Sequence, residues 1–268
     1  MKRKFTLIAL TIFIATILFA GCSSTKQASD TSLADIKSKG KFVVGLDDGF
    51  PPMGFRDEKN NLVGFDIDLA KEAAKRMGVV AEFKPVEWDG ITLSLNNKDI
   101  DVIWNGLTIT EERKKQISYT KPYLNNRQII AVLANSNIKT KADLAGKVIA
   151  TQLGSSSEEA IAADKDTKAK LKEIKTFDKF PTALAELKSG RAKAVVIDEL
   201  VGRYYMAKEP GVYVILNEDF GKETLGVGVR QTDTTFLNEL NKVMDEMKAD
   251  GTADKISKQW FGESIIVK

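Results

Sequence analysis

Histidine is absent from the 268 residues, and cysteine occurs once, at Cys22. Without histidine the chain lacks the usual general base, the Ser-His dyad and the commonest transition-metal ligand. A lone cysteine has no internal disulfide partner, so the hydrophobic core alone must hold the fold, and a chain of this length can do that as one large or two smaller domains. An excess of one charge is also missing beyond the first residues. The formal net charge of +3 is accounted for by Lys2, Arg3 and Lys4, and the remainder is neutral. That balance gives no reason to expect nucleic acid or another polyanion as partner. After the N-terminal segment no apolar run approaches membrane-spanning length, and there is no short-period repeat.

What is present begins with a removable leader. The three cations precede Phe5 to Ala20, apolar apart from Thr6, Thr11 and Thr16, and this length and flank fit a secretory signal better than a membrane span. The leader ends in "LFAGCSS", which resembles the lipobox of bacterial lipoproteins. Ala20 and Gly21 match that pattern, which implies cleavage after residue 21 and lipidation of Cys22; the competing reading is a spare or buried cysteine. Residues 22–32 are small and polar, a tether between anchor and body.

Strands and helices then alternate, the pattern of a mostly parallel α/β sheet. "KFVVGL" (41–46) is a strand. "GFDIDLAKEAAKRMG" (64–78) is a helix, with Phe65, Leu69, Ala73 and Met77 on one face and Gly78 as its cap. Residues 79–86 form a strand, 88–99 a short helix started by Asp89 with Ile91 and Leu95 inward, and "IDVIW" (100–104) another strand. The plan restarts with strands at 127–134, 146–154 and 192–199 and helices from 155, 180 and 200. "TLGVGVR" (224–230) is a strand, and two closing helices have no strand of their own to cover, so they are expected to return to the first unit.

Ligands of open α/β sheets sit beyond the C-terminal ends of strands. Here those ends carry Asp47, Asp48 and Phe50; Trp88; Asn105, Gly106, Thr108 and Arg113; Gln152 with "GSSS"; and Asp198. One cation, an acid, two aromatics and several small groups suit an α-amino acid. Arg113 can take a carboxylate by a two-pronged pair, with helix N-termini after Thr110 and in "GSSS" adding N–H groups. Asp198 can take the ammonium, and Phe50 and Trp88 can sandwich the side chain. Hydrogen bonds to charged groups contribute roughly 1.5–3 kcal/mol each, whereas micromolar affinity needs about 8 kcal/mol. Water exclusion and aromatic contact must supply the rest, which argues for two lobes that close on a hinge.

The stretches "DDGFPPMGFRDEKNNLVGFDIDLAKEAAKRMG", "GLTITEERKKQISYTKPY", "ADLAGKVIATQLGSSSEE", "AVVIDE" and "ADGTADKISKQWFG" resemble the family 3 extracellular solute-binding proteins, the amino-acid receptors of ABC importers. The resemblance implies a type II periplasmic-binding-protein fold: two lobes, each a mixed, mostly parallel sheet flanked by helices, joined by two hinge strands. Lobe one is expected at 33–125 plus 223–268 and lobe two at 126–222. It also implies that Arg113 and the Gly106–Thr108 backbone bind the ligand carboxylate with Ser156. Asp198 would take the amino group, aided by Gly106 and Ser156, with Asp47, Asn105 and Gln152 facing the side chain beside Phe50 and Trp88. The implied protein is a lipid-anchored monomer on the outer face of a bacterial membrane. It needs no cofactor or metal and delivers its ligand to a permease.

Each residue also has a plainer reading. Arg113 suits a solvated first helical turn, Asp198 a helix cap, and Asp47 and Asp48 a turn. Phe50 and Trp88 could be core, and the serines of "GSSS" plain caps. Trp104 is assigned to structure. A dehydratase acting on a carboxylated ring is the enzymatic alternative on this scaffold, and the absence of His, thiol and metal cluster argues against it. Asp47 favours a side chain that donates hydrogen bonds, which places glutamine, arginine and cystine ahead of acidic or aliphatic amino acids.

Overall fold

The structure, a computed structural model, describes residues 30–267. The expected leader, Cys22 and most of the expected tether lie outside the described residues. Helix α1 (Ser32–Lys39) begins at the last residue assigned to that tether and is tied to the C-terminal part of the chain, since the Ser32 and Thr235 hydroxyls lie 3.0 Å apart.

Strand β1 (Lys41–Leu46) falls where expected. A small antiparallel meander follows, β2 (Gly49–Phe50), β3 (Gly54–Arg56) and β4 (Leu62–Val63), whose strands are too short to show a period of two. Helix α2 (Phe65–Met77) buries Phe65, Leu69, Ala73 and Met77, and the Gly78 N–H closes its end. Beyond β5 (Val80–Pro85), helix α3 (Ile91–Asn96) buries Ile91 and Leu95 as expected, but Asp89 does not start it. Asp89 lies inside a 3-10 turn, Trp88–Gly90, that runs straight into the helix. Gly90 at the cap position is already helical, so there is no extended residue from which a side chain could fold back onto the first N–H groups.

Strand β6 (Val102–Ile103), helix α4 (Glu111–Lys114) and β7 (Ile117–Tyr119) complete the first pass. Next come β8 (Leu124–Leu133), β9 (Val148–Gln152), α5 (Ser156–Ala163), α6 (Lys165–Lys170), β10 (Glu173–Phe177), α7 (Phe180–Lys188), β11 (Ala194–Asp198), α8 (Glu199–Lys208) and β12 (Tyr213–Leu225). The strand expected over 224–230 is divided. Leu225 ends β12, and β13 (Gly228–Arg230) belongs to another sheet, because the chain changes lobes between them. Helices α9 (Thr234–Ala249) and α10 (Thr252–Phe261) close the chain and pack on α1 and α2, as expected for helices without strands of their own.

The two five-stranded sheets share one plan, with orders β5-β1-β6-β13-β7 and β10-β9-β11-β8-β12. In each, one strand, β13 or β8, runs against the others. These are the two lobes, mixed and mostly parallel in direction. The chain passes between them along β8 and β12, which pair antiparallel from Tyr213↔Leu133 to Leu225↔Leu124 with register shifts on either side of Asp219. Trp104 is fully buried, in keeping with its structural assignment.

Candidate functional site

The strand ends of both lobes meet. Gln152 Nε2 donates to Asp47 Oδ2 at 2.7 Å, Lys179 Nζ to Asp48 Oδ1 at 2.5 Å, and the Thr108 and Ser156 hydroxyls lie 2.9 Å apart. Phe50 tilts against Phe180 with ring centroids 5.9 Å apart, and Phe55 against Tyr204 at 5.5 Å. The lobes are therefore in contact across the cleft.

Arg113 turns inward rather than into solvent. Thr110 caps α4, its hydroxyl accepting from the Arg113 N–H at 3.2 Å. The guanidinium lies 5.7 Å from the Trp88 ring centroid. It donates to the Thr108 carbonyl at 3.2 Å and, across the cleft, to the Gly154 carbonyl at 3.0 Å. Two of its N–H groups are thus placed on carbonyls, and the planar fork retains others for an anion.

Gly106 has φ of 61°, and a Cβ there would sit 2.9 Å from Phe50 Cε1. Its N–H donates to Asp66 Oδ2 at 2.6 Å, whereas the resemblance implied that the Gly106–Thr108 backbone binds the ligand carboxylate. The Gly106 carbonyl remains, an acceptor suited to an ammonium. Asp66 is fully buried and also accepts from the Tyr123 hydroxyl at 2.9 Å. Burial pushes its carboxyl up to about 7, against the pull of those two donors.

Asp198 sits at the N-cap position of α8, yet its carboxyl does not serve as the cap. Its Oδ1 accepts from Asn126 Nδ2 at 2.6 Å and Gln128 Nε2 at 3.0 Å. Glu223 Oε1 accepts from the same two amides, at 2.6 and 2.8 Å, and from the Thr108 hydroxyl at 2.9 Å. Gln128 Nε2 also reaches Ser156 Oγ at 3.1 Å, and Gln128 Oε1 accepts from the Ser157 hydroxyl. Burial, and next the Glu223 charge, raise the Asp198 carboxyl well above the ordinary range.

The third region is Asp47, which is both turn former and cleft residue. Its Oδ1 accepts from the Gly49 N–H at 2.7 Å while Oδ2 faces Gln152. Burial raises its carboxyl, opposed by the Gly49 N–H, the Gln152 amide and the Lys179 ammonium. Asp48 is pushed up by burial but held below its usual value by Lys179 and Arg56. Asn105 supports Asp47 from below, its Oδ1 accepting the Asp47 N–H at 3.0 Å. The Phe50 and Trp88 rings lie within 7° of parallel, centroids 6.3 Å apart.

Five residues escaped the sequence reading: Asp66, Asn126, Gln128, Lys179 and Glu223. A signal existed for two of them. Asn126 and Gln128 lie two apart near the start of a strand, so they share a face. Among the described residues no group of three or more acidic, histidine or cysteine side chains could hold a metal ion.

At Gly154 the backbones of the two lobes come close together. A Cβ there would lie 2.9 Å from the Asp89 Cα, and its φ is 69°. Gly154→Ala is expected to cost roughly 1–2 kcal/mol in backbone strain and to obstruct closure. Calorimetric titration with amino acids should show affinity lowered about tenfold or more, with a larger radius of gyration for the ligand-bound protein by X-ray scattering.

Comparison with known proteins adds the following. The family described as bacterial extracellular solute-binding proteins, family 3, matches residues 42–263. The L-cystine-binding protein TcyJ of Escherichia coli K12 is 33% identical over 259 residues, covering 96% of each chain. A histidine-bound substrate-binding protein of an ABC uptake transporter from Streptococcus pneumoniae superposes with a TM-score of 0.87 at 31% identity, covering 90% of this chain and 99% of its own. An ancestral arginine-binding protein bound to arginine is 47% identical, with a TM-score of 0.78 and coverage of 83% and 99%.

Proposed function

Because the chain belongs to the bacterial extracellular solute-binding proteins of family 3, we propose that it captures a polar L-amino acid between its lobes and delivers it to the permease of an ABC importer. It is a binding protein, not an enzyme. Arginine, glutamine and cystine are the favoured ligands. Lipidation of Cys22 would hold the protein at the outer face of the membrane. Among the described residues no helix is long and apolar enough to cross one.

One observation carries this reading. A cation and an acid reach the same cross-lobe contact between Thr108 and Ser156: Arg113 through the Thr108 carbonyl, Asp198 through Gln128. An α-amino acid centred there meets opposite charges on its two sides. Ser156 adds a hydroxyl, and the Gly106 carbonyl an acceptor for the ammonium. The side chain would extend between Phe50 and Trp88 toward Asp47 and Gln152. A buried acceptor such as Asp47 left without a donor is costly, so side chains that donate are selected.

A thermal-shift screen of the twenty amino acids plus cystine tests it. A ligand at 100 times its Kd contributes about 2.7 kcal/mol, an expected rise of about 5–10 °C for a chain of this size. A rise with polar L-amino acids supports the reading, and no rise with any amino acid refutes it. In Asp47→Asn the preference is expected to move from arginine toward glutamine.

A further inference from the structure

We propose that Glu223 is a second acceptor for the ligand's ammonium, and that the ammonium's arrival expels a proton held at Asp198 beside it. The inference rests on the amino-acid reading above.

The geometry is that of a carboxyl pair. Asp198 Oδ1 and Glu223 Oε1 accept from the same two nitrogens, Asn126 Nδ2 and Gln128 Nε2. Asp198 at the end of β11 and Glu223 on β12 reach these donors from opposite sides of β8, in whose ladder Glu223 pairs with Asn126 and Asp198 with Gln128. Two carboxylates this close cannot both ionise at ordinary pH without a compensating charge. Asn126 Oδ1 is buried and has no partner among the described residues, so one more acceptor at the pair awaits a donor.

The charged groups around the pair are occupied or exposed. Arg127 on β8 is held by Glu199 and Asp219, and Arg203 on α8 also pairs with Glu199. Arg113 is placed on the Thr108 and Gly154 carbonyls, and the Tyr119 hydroxyl also donates to the Thr108 carbonyl. Glu158 on α5 accepts from the Gly154 N–H, while Glu159 and Lys222 are exposed. The pair's net charge is therefore set by its own proton until a cationic ligand arrives. The balance is simple: a ligand ammonium joins a pair carrying one proton and one negative charge, the proton leaves to solvent, and two carboxylates remain around one ammonium.

Calorimetric titration of the whole protein with L-arginine, L-glutamine and L-cystine, in phosphate and in Tris at about pH 6.5, counts the proton. Heats that differ between buffers by the equivalent of about half to one proton released per ligand, with affinity rising up to about tenfold per pH unit, support the pair. Glu223→Gln is expected to reduce that proton count and flatten the slope, a change that lost contact alone would not produce. Binding with equal heats in both buffers overturns the expelled proton and leaves the amino-acid reading standing. Absence of binding to every amino acid tested overturns both.

Discussion

Arg113→Ala is expected to lower amino-acid affinity by about 2–5 kcal/mol, the usual cost of truncating one partner of a desolvated, hydrogen-bonded charge pair. The low end is roughly thirtyfold and the high end several thousandfold. The loss has two sources. The ligand carboxylate would lose the guanidinium proposed to hold it, and Trp88 would lose the cation 5.7 Å from its ring. Arg113→Lys keeps the charge but not the planar fork, so it is expected to fall between alanine and wild type. Neither change should unfold the protein, because Arg113 is only partly buried, one of its two partners is the carbonyl of the exposed Gly154, and the other, the Thr108 carbonyl, keeps the Tyr119 hydroxyl as a donor. Titration calorimetry on variants with unchanged ligand-free melting points measures the effect. Wild-type affinity in Arg113→Ala would remove the carboxylate from this end of the cleft.

The second large effect concerns stability. In the unfolded chain the Asp66 carboxyl ionises near 3.8, and in the fold near 7. Between those values the folded protein holds a proton that the unfolded chain has lost. The stabilisation from protonated Asp66 is thus complete below the unfolded value and is lost as pH rises through about 7. Linkage over that span amounts to about 4 kcal/mol. The raised Asp198 carboxyl acts in the same direction. Asp66→Asn keeps one carbonyl oxygen for the Gly106 N–H and the Tyr123 hydroxyl, which both donate to Oδ2, and cannot ionise. Urea unfolding at pH 5 and pH 8 should therefore show the variant gaining on wild type by about 2.5 kcal/mol, the part of that linkage that falls between pH 5 and the folded value. Parallel pH profiles for the two proteins would mean that Asp66 is ionised or solvated in the fold.

Much of the first lobe was legible because its elements keep one period over several turns. Helix α2 repeats its buried residues every four positions, and β1 buries most of a short apolar run. Arg113 and Asp198 were visible as charges set at strand ends. Glu223 was not, since it lies in "NEDFGKET", which reads as a solvated strip; only the pairing of β12 with β8 brings it to Asn126. Strand β12 itself was missed for a related reason. It is the edge strand of its sheet, alternates poorly between buried and exposed, and changes register twice. Asp66 stood inside an amphipathic helix, where an acid in the first turn looks like ordinary dipole compensation. Its partners, Gly106 and Tyr123, are distant in sequence, and no local pattern links them.

Strand β13 occupies an inner place in the first sheet, between β6 and β7, although nearly the whole second lobe separates it from both along the chain. A polypeptide emerging from its N-terminus can complete the second sheet while the first still lacks this inner strand. The half made earliest is therefore finished last, contrary to the usual order of domain formation during synthesis. Until residues 228–230 appear, β7 has no strand to join, and the nascent chain stays incompletely folded almost to its end.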